Sequence, residues 1–165
     1  MNKKISFAGL FLIVALLFQV LPAPRPATAA ATCDWAQFVA DVSVPDGTTF
    51  KPGDEFTKTW RMKNIGTCTW TMAYSQVFMD GDDMHAPALV EFPLSVVPGQ
   101  MIDLSVPMTA PSTPGTYRSN WKIRNAAGNL FGVGPAADQV FWVEIKVSTN
   151  AETGVAYDFA ANAAS

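Results

Sequence analysis

From Phe38 to Val147 the chain repeats one pattern: apolar and polar residues alternate, and a Gly, Pro or Asn turn interrupts the run roughly every 8 to 12 residues. Alternation with period two places successive side chains on opposite faces of an extended chain. No long stretch shows the three-to-four residue spacing of an amphipathic helix. The pattern therefore confines the chain to sheets, with one face of each strand apolar.

The strands can be read one by one. Phe38, Ala40, Val42 and Val44 alternate with Val39, Asp41 and Ser43 before the turn Pro45-Asp46-Gly47. Phe56, Trp60 and Met62 share one face of the next strand, and Thr57, Thr59, Arg61 and Lys63 the other. Tyr74 to Met79 forms a third, stopping at Asp80-Gly81-Asp82, and Leu89 to Leu94, bracketed by Pro87 and Pro93, a short edge strand. Then come Ile102, Leu104, Val106 and Met108, all inward, with Asp103 and Ser105 outward. Tyr117, Ser119, Trp121 and Ile123 face away from Arg118, Asn120, Lys122 and Arg124. Phe141, Val143, Ile145 and Val147 close the series, alternating with Trp142, Glu144 and Lys146. Together they predict an all-β fold, an immunoglobulin-like β-sandwich of about seven to nine short antiparallel strands. A small closed barrel is the alternative.

The ends read differently. Lys3 and Lys4 precede the apolar run Ile5 to Leu21, and Ala27-Thr28-Ala29 offers a small-x-small cleavage site, so residues 1–29 are expected to be a signal peptide. The run of about 17 residues falls short of the ~20 that span a bilayer, although an uncleaved anchor is the alternative. A lipoprotein box before Cys33 is poorly formed. Without residues 1–29, 8 basic residues face 14 acidic ones, a net charge of about −6 that opposes binding to nucleic acid. Residues 33–148 are expected to form one domain, and 149–165, rich in Ala, Thr and Asn, a flexible tail or a truncated further module.

Little in the chain suggests catalysis. The single histidine, His85, sits in the polar loop Asp82-Asp83-Met84-His85 without a nucleophile signature around it. Asp80, Asp82 and Asp83 lack the ligand spacing of a calcium loop, and no phosphate-binding glycine loop occurs. No catalytic residue, metal or cofactor is therefore expected.

Cysteines and tryptophans carry the remaining signal. Cys33 and Cys68 are the only two cysteines, and in an exported chain they are expected to pair, closing a loop of about 36 residues worth roughly 3–4 kcal/mol. Trp60 and Trp121 are in phase with apolar faces and are read as core, and Trp70 as a cover over the disulfide. Trp142 is out of phase with its apolar neighbours and is assigned outward. Burying Glu144 and Lys146 instead would cost several kcal/mol each. With Arg118 and Lys122 it forms a candidate binding surface; Trp35 is a second candidate exposed indole.

The ordered motifs "DVSVPDG", "KTWRMKNIGTCTW", Pro98-Gly99, "APSTPGTYRSNWKIRN" and "FWVEIKV" resemble the four-tryptophan domain, the Ig-like central domain of selective-autophagy cargo receptors that recurs in secreted bacterial proteins. The resemblance runs from Phe38 to Val147, and its four tryptophans are Trp60, Trp70, Trp121 and Trp142. It implies a non-catalytic sandwich used to dock proteins. The ubiquitin-binding and oligomerising parts of those receptors have no counterpart in these residues.

The expectation is thus a secreted or cell-surface, monomeric, non-enzymatic interaction module for an unknown protein, peptide or glycan, with no nucleic acid and no stable membrane insertion after cleavage. The alternatives are a carbohydrate-binding accessory module and a fragment of a larger cell-surface protein.

Overall fold

Alternating burial along nine strands organises the computed structural model, which describes residues 32–150. In order they are β1 (Ala36–Asp41), β2 (Thr48–Phe50), β3 (Glu55–Asn64), β4 (Ser75–Gly81), β5 (Leu89–Glu91), β6 (Met101–Thr109), β7 (Gly115–Arg124), β8 (Leu130–Phe131) and β9 (Phe141–Val147). The expected signal peptide and residues 151–165 of the tail lie outside the described residues. Among the described residues no helix is long and apolar enough to cross a membrane.

Two sheets face each other. One has the order β1-β3-β6, the other β2-β9-β7-β4-β5 with β8 alongside β7. The described residues form an all-β, Ig-like sandwich. Where period two is unbroken, burial follows it: Ile102, Leu104, Val106 and Met108 of β6 and Phe141, Val143, Ile145 and Val147 of β9 are all buried. Between the sheets Trp60 meets Trp121 at 6.1 Å and the edge of Phe141 at 5.0 Å. Trp60 Nε1 donates to the Trp142 carbonyl across the core, 2.8 Å away, so the indole is buried with its polar atom satisfied.

Three departures from the simple pattern have physical causes. In β1, Phe38 pairs with Met62 but Ala40 with Arg61, so Val39 is bulged out and the alternation breaks. Val42, beyond the bulge, consequently ends up exposed rather than on an apolar inward face, and Phe38, opposite the buried Met62 on this edge strand, is exposed as well. Such a bulge on an edge strand also discourages pairing with other chains. Second, not every strand is antiparallel: β2 runs parallel to β9, Thr48 opposite Ile145. At three residues β2 is too short to show periodicity, and so is the two-residue β8. Third, the strand expected over Leu89 to Leu94 ends at Glu91, although it does lie at a sheet edge.

Candidate functional site

Polar groups hidden in the sandwich hold its surface turns in place. Lys58 has the inward parity of β3 and takes it, fully buried beside Trp60. Its ammonium donates to Asp41 Oδ1 at 2.5 Å and to the Val44 carbonyl at 2.8 Å. Burial pushes the lysine below its ordinary pKa, against the opposing pull of Asp41. Val44 sits in the left-handed region (φ 51°), unusual for a β-branched residue, and so aims its carbonyl at the lysine. Lys58 thereby ties β3 to the turn that carries Asp46.

Asn64 does the same at the other end of β3. Its amide donates to the carbonyls of Cys68 (2.9 Å) and Val96 (3.0 Å), and its oxygen accepts from Gly66 N. Cys33 and Cys68 are joined by a disulfide with Cα atoms 4.9 Å apart, and the amides of Thr67 and Cys68 both donate to the Cys33 carbonyl. Gly66 is required here, since a Cβ would stand 2.2 Å from that carbonyl oxygen. Trp70 is buried, with Phe92 and Phe131 as its ring partners.

The outward residues of β7 and β9 meet on the solvent face of the larger sheet. Register places Asn120 opposite Trp142 and Arg118 opposite Glu144. Trp142 is 40% exposed. Its Nε1 donates to Asp46 Oδ2 at 2.9 Å, while Asp46 Oδ1 accepts from Glu144 N. The Arg118 guanidinium lies over the indole with Cζ 4.3 Å from the ring centroid. Arg118 Nε donates to Asn120 Oδ1 at 3.0 Å, and Asn120 in turn donates to Asp80. Lys122 is on the same face of β7, one alternate position beyond Asn120. The structure therefore brings Trp142 and Arg118 into contact and leaves Lys122 beside them.

The other candidates fall elsewhere. Trp35 donates from Nε1 to the Gly134 carbonyl and lines an apolar groove of about 410 Å³ with Phe38, Ile65, Val133 and Pro135. His85 lines an open, more polar depression of about 420 Å³ with Glu55, Thr57 and Pro107. Asp82 and Asp83 accept from the backbone amides of Met84 and His85. Among the described residues no group of three His, Cys, Asp or Glu side chains is placed to hold a metal. Lys58, Asn64 and Asp46 escaped the sequence reading. The turn Pro45-Asp46-Gly47 was visible in the chain, but its reach to Trp142 depends on a contact 96 residues distant.

Comparison with known proteins adds to this geometry. The chain is 37% identical over 115 residues to Protein JOKA2 of Solanum tuberosum, covering 68% of this chain and 13% of that protein. It is 33% identical over 118 residues to Protein ILRUN of Danio rerio, covering 72% and 39%. Next to BRCA1 gene 1 protein of Homo sapiens is 35% identical over 117 residues, covering 66% and 11%. This chain thus spans well under half the length of these relatives. A CARDB domain from Pyrococcus furiosus aligns at 14% identity with a TM-score of 0.43, over 71% of this chain and 94% of the domain.

These relatives correct one expectation. They are plant and animal proteins and include the intracellular receptor class named above, not exported proteins. The reading of this chain as a secreted or cell-surface module is overturned by them, and the likeness to secreted bacterial proteins gains no support. A family model described as the Ig-like domain from next to BRCA1 gene matches residues 43–147, nearly the whole sandwich. The chain belongs to that family of Ig-like domains.

Proposed function

We propose that this chain is a non-enzymatic docking module, folded over about residues 33–148, that binds a protein or peptide through the solvent face of the larger sheet. One observation carries the reading. A large indole is held rigidly at the surface, its N–H anchored on Asp46 and its ring stacked under Arg118. Tryptophan and arginine are the side chains most enriched among residues that dominate interface energy, and here both are ordered before any partner arrives. The family membership supports the same reading, because its relatives are adaptor proteins rather than enzymes. The glycan alternative is less favoured, since a sugar ring would stack on an indole face and Arg118 occupies one of the two on Trp142.

The test is affinity capture with the full chain, wild type against Trp142→Ala, with partners identified by mass spectrometry. A true partner should bind the variant about 30-fold or more weakly, the effect of losing an anchor worth about 2 kcal/mol. The variant should melt within a few degrees of wild type, because Trp142 lies outside the core. Undiminished capture by a folded Trp142→Ala protein would reject this face as the docking site.

A further inference from the structure

β7 offers the solvent Arg118, Asn120, Lys122 and Arg124 at alternate positions. Alternate residues of a strand recur about every 7 Å, so the three cations lie on one line roughly 20 Å long. None of them has an ion-pair partner among the described residues. That is unusual in a chain with more acidic than basic side chains. The neighbouring carboxylates are otherwise engaged: Asp46 with Trp142 Nε1 and Glu144 N, Asp80 with Asn120. Glu144 lies opposite Arg118 in register yet forms no ion pair with it.

Arg118 is also held in a particular way. The indole supports its plane, and the Nε edge is bound to Asn120, whose own amide is fixed by Asp80. Its two terminal nitrogens make no hydrogen bond among the described residues. A guanidinium in this state has lost most of its rotamer freedom while keeping a two-nitrogen fork for a carboxylate. We infer that the β7 row is a receptor for an acidic segment of a partner protein, with one carboxylate taken by the Arg118 fork over Trp142 and others by Lys122 and Arg124. The inference rests on the docking face proposed above and names the chemistry of what docks there. Nucleic acid, the other polyanion, fits worse: Asp46, Asp80 and Glu144 flank the row, which a segment with a few spaced carboxylates can accommodate and a densely charged, continuous phosphate backbone cannot.

The experiment is an array of random decapeptides probed with the full chain as wild type, Arg118→Gln, Arg118→Lys and Trp142→Ala, with melting curves for each variant. Retained peptides should be enriched in Asp and Glu. Their binding should weaken about tenfold with Arg118→Gln or with amide substitution of the peptide's carboxylates, and partly with Arg118→Lys, which keeps the charge without the fork. It should also fall with rising salt. Retained peptides no richer in acids than the array, or unaffected by Arg118→Gln, would overturn the proposal. Loss of neutral peptides with Trp142→Ala alone would leave the docking face standing while removing the acidic specificity. Binding indifferent to both Trp142 and Arg118 would remove both, and tighter binding of a DNA oligonucleotide than of any acidic peptide would reject the partner class.

Discussion

Cutting the Lys58–Asp41 pair should cost far more from the aspartate side than from the lysine side. Lys58 is fully enclosed, whereas the Asp41 side chain keeps 23% of its surface in solvent. Asp41→Ala therefore strands an ammonium inside the sandwich with only the Val44 carbonyl as partner, and should cost about 3–5 kcal/mol. Lys58→Met removes the buried charge and fills its volume with apolar atoms. The carboxylate left behind can be hydrated, and the chief loss is the donor to Val44, so the net change should stay within about 2 kcal/mol of wild type. Urea denaturation followed by tryptophan emission measures both. The pH dependence supplies a second readout. Because burial lowers the folded-state pKa of Lys58, the unfolded chain binds more protons between that lowered value and the ordinary 10.5. This group thus makes stability rise with pH through that alkaline window, and the difference between wild type and Lys58→Met should climb there. The reasoning fails if Asp41→Ala lies within about 1 kcal/mol of wild type, or if Lys58→Met proves the more damaging change.

Trp121 is buried against Trp60 and Phe78 with Nε1 bonded to Ser119 Oγ, so Trp121→Ala should cost about 3–5 kcal/mol; thermal melting within a few degrees of wild type would contradict this. The Cys33–Cys68 bridge should appear as one linked peptide in a non-reducing digest, and replacing both cysteines by serine should cost roughly 3–4 kcal/mol; alkylation of both thiols without reductant would disprove it. Burial, and after it the bond to Asp34, raises the Tyr74 pKa from the ordinary 10.0 to about 12, so an absorbance titration should show one phenol ionising near that value, lost in Tyr74→Phe. Asp34→Ala should bring it only part of the way down, and between about pH 10 and 12 this group should lower stability as pH rises, because only the unfolded phenol ionises there.

Legibility in the sequence followed the regularity of the strands. In β6, β7 and β9 the inward parity is apolar but for Ser119 and the charged residues all fall on the other, so a one-residue slip would bury charges such as Glu144 and Lys146. Their burial could be read directly from the residues. β1 was harder, because its bulge at Val39 depends on the partner strand and not on any residue within it. Lys58 was hidden for a different reason. A lysine on an inward parity reads as an exception until the fold brings Asp41 and the Val44 carbonyl to it. The parallel β2–β9 pair joins segments almost a hundred residues apart, beyond the reach of local pattern.

The candidate site shows the same division between what is local and what is not. That Trp142 points outward follows from parity alone, and the outward direction of Arg118 does too. Their stacking follows only from the β7–β9 register, which sets residue 120 opposite residue 142 and brings position 118 alongside. The anchoring of the indole needs a third element, the Pro45-Asp46-Gly47 turn, whose Gly47 amide donates to the Glu144 carbonyl at 2.7 Å. That turn is tied through Val44 to Lys58, on the opposite sheet. The surface indole is therefore coupled by hydrogen bonds to a charge buried in the core. A polar pair that contributes little net stability thus has a structural connection to the proposed docking face: it holds the carbonyl of Val44, two residues before the Asp46 that accepts from Trp142 Nε1.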